Sequence, residues 1–426
     1  MKKLGFITVL LLGVVSAQQL TLSEAVNIAL QNKETLESAR LDLQSVKAGK
    51  VGAYSNILPS LNLTGGRSET SYGDASLNNS TVWSAGVSIS QNIFDGGGWW
   101  NQIALANNNY AIQQQVERQV RINVIAEVHR AYFQLLKSQQ LVEVAQQSLE
   151  LTEQQVELAR RKYDLGAAKK TDLLKSEVAA GTARSSLISQ EAILYTAISE
   201  FRNALGLIGS DRKLEISADI NPLEQVIKWE EAITVLKSNN PGILSAEQQL
   251  TNAKINRKLT NSVRLPSLSA SLSYQASDSD FDGLSSALND DWVMTTGLNL
   301  SFPLFTGMRY STQSQQAKLA VQKQENEIIT TTNDAIVLLE TYYETVKDYF
   351  EIIPIFEEIL MSAEEDLKLA SEQYRLGSIS VLELLDAQVS VTRARADLVA
   401  AKYDAKIQES YLKAQLGILD QEFEKN

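Results

Sequence analysis

The segment Asp278-Ser279-Asp280-Phe281-Asp282-Gly283 places three carboxylates at alternate positions before a glycine. Calcium loops open this way: oxygens at positions one, three and five grip the ion, and the glycine makes the sharp turn. Asn289 stands where the closing bidentate glutamate belongs. Asp278, Asp280 and Asp282 are therefore a weak calcium candidate, with a solvated acidic loop as the competing reading. Asp95-Gly96-Gly97-Gly98 has the glycines of a phosphate-cradling loop but lacks the Lys-Ser/Thr that completes one, and reads as a strand-to-helix turn. His129 is the only histidine and there is no cysteine, so His/Cys metal sites, thiolate chemistry and disulfides are excluded. Glu383 and Asp386, three residues apart, share one face of a helix. These residues imply no cofactor and no enzyme.

What positions such residues begins with an address. Lys2 and Lys3 precede an apolar run from Leu4 to Val15, and Val15-Ser16-Ala17 suits cleavage before Gln18. Residues 1–17 thus read as an export signal. No later stretch has the roughly 18 apolar residues of a membrane helix, so contact with a bilayer must use strands. The net charge is −12, and more negative once Lys2 and Lys3 are removed, which argues against nucleic acid as a partner.

Four stretches alternate with period two. Trp83, Ala85, Val87, Ile89 and Ile93 alternate with Ser84, Gly86, Ser88, Ser90 and Asn92. Leu268, Ala270, Leu272 and Tyr274 alternate with serines. Trp292, Met294, Leu298, Leu300, Phe302 and Leu304 form a third set, and Leu61 and Leu63 begin a weaker one. Segments of about 10 residues with one apolar face are the length of transmembrane β-strands. The pattern alone also fits a soluble sandwich.

The chain is written twice. Tyr163-Asp164-Leu165-Gly166 recurs as Tyr374-Arg375-Leu376-Gly377, and Leu205-Gly206 as Leu416-Gly417. Nearer the start, Asn32 matches Asn239 and Leu58-Pro59-Ser60 matches Leu265-Pro266-Ser267. The second copy has four extra residues between its proline and Phe305. Residues 18–208 read as the first repeat, 209–228 as a linker, 229–418 as the second repeat and 419–426 as a tail. From about Trp100 to Asp164 there is neither Pro nor Gly, enough for roughly 95 Å of helix. Val128, Leu135, Val142, Leu149, Val156 and Tyr163 recur every seven residues, as do Val346, Ile353, Leu360, Leu367 and Tyr374, which is a coiled-coil signal. Return helices are expected from Thr171 and Val381. Single shorter helices are expected before the strands, one capped by Thr21 and Glu24, the other opening at Pro241. A helix of about 20 residues plus a return helix of about 35 nearly matches one long helix, so stacked end to end they can lie antiparallel to it. Pro354 interrupts the parallel between copies and predicts a kink.

With its duplicated plan, its Tyr-x-x-Gly turns and its strand exits Phe94-Asp95-Gly96-Gly97 and Phe305-Thr306-Gly307, the chain resembles the TolC-type outer-membrane efflux family over nearly its whole length. The resemblance implies an α+β membrane protein in which each repeat joins a β-hairpin to a long antiparallel coiled coil. It implies a homotrimer with a 12-stranded β-barrel in outer-membrane lipid and a 12-helix α-barrel in the periplasm. Such a trimer is the passive exit duct of a tripartite efflux or type I secretion system, with a periplasmic adaptor and an inner-membrane transporter as partners. Leu165, Gly166, Leu376, Gly377 and Ser378 are then adaptor-docking turns. Asp172, Tyr374, Glu383 and Asp386 are then gate residues at the periplasmic entrance, although Ile379 stands where the family carries a basic partner. The alternative to this function is an exported periplasmic coiled-coil scaffold with a soluble β-domain.

Overall fold

In a computed structural model, the structure describes residues 20–73, 78–208, 216, 223 and 227–423. The export signal, most of the 209–228 linker and the last three tail residues lie outside them. The chain divides into two compact units, which are described separately.

One unit comprises Ser38–Gln119 and Pro241–Asp334. Its centre is a four-stranded antiparallel sheet of β1 (Ser60–Thr70), β2 (Ser80–Asp95), β3 (Ser267–Asp278) and β4 (Trp292–Ser301), paired in chain order. The registers Leu63↔Val87, Val87↔Tyr274 and Tyr274↔Met294 align the apolar sets of all four strands. One face carries Leu61, Leu63, Val87, Ile89, Leu272, Leu298 and Leu300; the other carries Asn62, Thr64, Ser88, Ser273, Thr295 and Asn299. The leucines of the apolar face on β1 and β4 are exposed. Strand β4 stops at Ser301, short of Phe302 and Leu304, because Pro303 has no N–H to donate to a ladder. The four extra residues of the second copy fall in its hairpin loop, which folds a short helix, α7 (Leu284–Asp290). Described in chain order, the helices before it are α1 (Leu22–Asn32), α2 (Glu34–Gly52), α3 (Gly98–Asp164), α4 (Lys170–Ala204), α5 (Trp229–Asn239) and α6 (Pro241–Ser262).

The other unit comprises the described parts of Met1–Glu37, Val120–Asn240 and Ala335–Asn426. Helices α8 (Arg309–Leu376) and α9 (Val381–Leu416) complete the set. Here α3 pairs with α4, and α8 with α9. Of the seven-residue positions Val128, Leu135, Leu149, Val346 and Tyr374 are buried in the seams, joined by Ala145, Ala159 and Ala370, each three residues after a member of the series. Ion pairs Glu153–Arg184 and Arg160–Glu177 flank the first seam, at 3.2 Å each; Glu357–Lys402 (2.8 Å) and Glu364–Arg395 (2.7 Å) flank the second. Exposed pairs of this kind contribute little stability. Helix α8 continues through Pro354.

The second copy's helix opens at Pro241 as expected, but in each copy two helices, not one, precede the first strand. Asn240 is extended (φ −66°, ψ 118°), the conformation that a following proline favours, and it separates α5 from α6. Lys33 at the equivalent place takes the same conformation (φ −74°, ψ 116°) and separates α1 from α2. The start of α1 follows the expected capping box of Thr21 and Glu24.

Candidate functional site

Each coiled-coil hairpin ends in a tight turn. Gly166 (φ +72°) and Gly377 (φ +80°) take the left-handed conformation that lets Ala167 N–H reach Lys162 O (2.7 Å) and Ser378 N–H reach Gln373 O (2.9 Å). The leucines before them are thrown outward: Leu165 is 83% exposed and Leu376 is 74% exposed. The five residues expected to dock a partner thus lie at two exposed turns.

The twin tyrosines of these turns are not equivalent. Tyr163 is 40% exposed, with the Lys170 ammonium 5.3 Å from its ring centroid. Tyr374 is 6% exposed, in a cluster with Ala370, Val381, Leu384 and Ala387. The Lys162 ammonium lies 4.0 Å from the Tyr374 ring centroid and donates to the Tyr374 carbonyl oxygen at 2.8 Å. One lysine of the first hairpin therefore grips the last turn of the second. Sequence reasoning missed Lys162; the signal available was that Gln373 stands at its place in the second copy, so the turns differ there in charge.

Burial, and secondarily the nearby Asp172 carboxylate, raise the Tyr374 phenol above the ordinary tyrosine range, with Gln155 opposing them. Asp172 caps its own helix, accepting from the Lys169 N–H at 3.4 Å. Among the described residues, the Tyr374 and Asp172 side chains make no direct hydrogen bond within the chain. Glu383 closes a capping box: its Oε2 accepts from the Ser380 N–H (2.7 Å) and hydroxyl (3.1 Å). Asp386 is exposed one turn further on.

The remaining sequence candidates do not converge. Asp278 Oδ1 accepts from the Asp280 N–H at 2.9 Å, a local turn. Among the described residues no group of three acidic, histidine or cysteine side chains is arranged to hold a metal, so Asp278, Asp280 and Asp282 are not brought together as ligands. Asp95 ends β2 and accepts from the Trp99 N–H at 2.9 Å, starting α3. His129 is buried, with Nδ1 2.8 Å from the Ser410 hydroxyl and its ring edge-on to Phe133 and Phe423. Burial, then Lys413 and Lys406, depress its pKa to about 3. No described helix is long and apolar enough to cross a membrane.

A family model described as outer membrane efflux protein matches residues 25–207 and 232–418. The outer membrane efflux protein BepC of Brucella suis biovar 1 is 23% identical over 416 residues, covering 95% of this chain and 88% of BepC. The outer membrane protein TolC of Vibrio cholerae serotype O1 is 21% identical over 408 residues, covering 94% of this chain and 91% of that protein. The crystal structure of the Campylobacter jejuni CmeC outer membrane channel matches with a TM-score of 0.80 at 17% identity, over 93% of this chain and 86% of that chain. That last likeness shows a shared fold.

Proposed function

This chain belongs to the outer membrane efflux protein family, and we propose that three copies of it form the exit duct of a tripartite export system. It is an outer-membrane efflux channel with a long periplasmic part, which sets aside the periplasmic scaffold. The sheet carries the trimer reading. Strands β1 and β4 each leave one edge of backbone N–H and C=O groups unpaired within the chain. In hydrocarbon each unsatisfied group costs several kcal/mol, so the sheet must close through neighbouring copies. Two copies give eight strands, an interior that side chains fill; three give twelve and a lumen. The polar face of Ser, Asn, Thr and Gly suits a water-filled interior.

The duct conducts passively, and we assign it no catalysis. Its periplasmic entrance is read at the hairpin turns. Asp172, Tyr374, Glu383 and Asp386 make the gate; Leu165, Gly166, Leu376, Gly377 and Ser378 meet a periplasmic adaptor, which links the duct to an inner-membrane transporter. The absolute mass of detergent-purified protein tests the assembly. A trimer is expected, and a monomer that conducts ions in a planar bilayer would overturn it.

A further inference from the structure

The loop of the second hairpin lies on a particular side of the sheet. Phe281 meets Trp83 edge-on, with ring centroids 5.1 Å apart. The Tyr274 hydroxyl donates to the Leu288 carbonyl oxygen. Ala287 of α7 and Ala276 of β3 are both buried, and α7 touches β2, β3 and β4. Register places Trp83, Tyr274 and Ala276 on the apolar face, with Leu63, Val87 and Leu298. Trp292 stacks on Tyr274 on that same face, at 5.3 Å. The polar face has no such cover: Gln275, Ser277 and Val293 are exposed.

We propose that residues 281–290 are a membrane-interface flap. The flap lies on the lipid side of the barrel wall at the acyl–headgroup boundary, fixes the barrel's depth in the bilayer, and leaves the mouth of the lumen uncovered by this loop. The inference rests on the outer-membrane reading. Lipid is the occupant because the flap continues a face that must meet lipid: below it the band of Leu61, Leu63, Val87, Ile89, Leu298 and Leu300, at its level the rings of Trp83, Tyr274, Phe281 and Trp292. Aromatic residues of this amphipathic kind collect where acyl chains give way to headgroups. The flap's own division agrees, since Leu284, Ala287 and Leu288 face the sheet side while Ser285, Ser286, Asn289 and Asp290 are exposed. The first hairpin, with a shorter connection, has no counterpart among its described residues.

The chain has no cysteine, so single labels can be placed cleanly. Phe281→Cys on the flap, Leu298→Cys on the apolar band and Asn299→Cys on the polar face would each carry a bimane fluorophore. The labelled proteins go into phosphatidylcholine vesicles brominated on the acyl chains, with aqueous iodide as the opposing quencher. The label at 298 should be quenched by bromolipid alone, that at 299 by iodide alone, and that at 281 by bromolipid, less strongly than at 298. A label at 281 that answers only to iodide, while 298 still answers to bromolipid, overturns the flap. Loss of bromolipid quenching at 298 as well would instead overturn the lipid-facing sheet. Replacing residues 284–290 with a short Gly-Ser link should leave single-channel conductance unchanged; a clear rise would show that the loop overhangs the lumen.

Discussion

Gly417 ends α9 so close to Asn239 that a Cβ added to it would lie 2.4 Å from the Asn239 carbonyl oxygen. Gly206 stands in the same relation to Asn32, at 2.8 Å. In each copy, then, the end of the return helix abuts the junction between the two short helices. A side chain from the junction completes the joint: the Lys33 ammonium donates to Asn203 O (3.0 Å), and the Asn240 amide to Gln415 O (2.8 Å). Both glycines are also left-handed, at φ +70° and +71°.

Substituting these glycines separates crowding from backbone strain. Gly166 and Gly377 are left-handed too, but a Cβ there meets nothing within 4 Å. Alanine at either turn should therefore cost only the left-handed penalty of about 1–2 kcal/mol. Gly206→Ala and Gly417→Ala must in addition displace backbone, and should cost about 3 kcal/mol or more. Denaturant unfolding of the four variants decides it, and equal losses at all four positions would contradict the joint.

How far the sequence disclosed this molecule follows the range of each signal. Asn32, Asn239, Gly206 and Gly417 were legible as repeat markers because identity at a fixed spacing is visible in one dimension. That the asparagines and glycines touch is a tertiary fact, which spacing does not encode. The seven-residue series placed the seams because coiled-coil packing is local and periodic. The break at Lys33 was hidden: its extended backbone has no proline after it, unlike Asn240 before Pro241. Lys162 was hidden for a different reason, since its partner Tyr374 belongs to another hairpin.

His129 should make stability depend on pH in a defined window. Unfolded, the imidazole takes up a proton below about 6.5; folded, it does so only near 3. Between these values the unfolded state binds more protons. The His129 contribution is thus complete above pH 6.5 and is lost as pH falls, by about 1.4 kcal/mol per unit while only the unfolded state is charged. His129→Asn removes the titration. Unfolding curves at pH 7 and pH 5 should show a smaller acid loss in the variant; equal losses would mean the histidine is not held neutral.

Lys162 should hold the two hairpin tips together. A partly desolvated cation over an aromatic ring contributes about 0.5–2 kcal/mol, and a trimer would repeat it three times. Lys162→Met removes both the ring contact and the bond to the Tyr374 carbonyl, so the open probability of single channels should rise. Lys162→Arg keeps a cation for the ring and should stay near wild type. Tyr374→Phe keeps the ring and the carbonyl and should release far less than Lys162→Met. If Lys162→Met gates like wild type, the contact does not restrain the tips.

Glu383 has two separable roles, and one set of variants divides them. As the third residue of α9 its carboxylate receives the Ser380 N–H; as an exposed acid beside Asp386 it would contribute, in a trimer, to six carboxylates around one entrance. Gln at this place can still close a capping box, so Glu383→Gln removes the charge and keeps the cap. Combined with Asp386→Asn it should weaken cation preference, because a ring of like charge concentrates counter-ions at a narrow mouth. It should leave thermal stability nearly unchanged. Ser380→Ala does the reverse: it should cost about 1 kcal/mol of stability and leave selectivity as it was. Reversal potentials in a salt gradient give the answer. A Gln/Asn pair that retains the full cation preference would place these acids on an ordinary solvated helix start, and the entrance would have to be sought elsewhere on the hairpins.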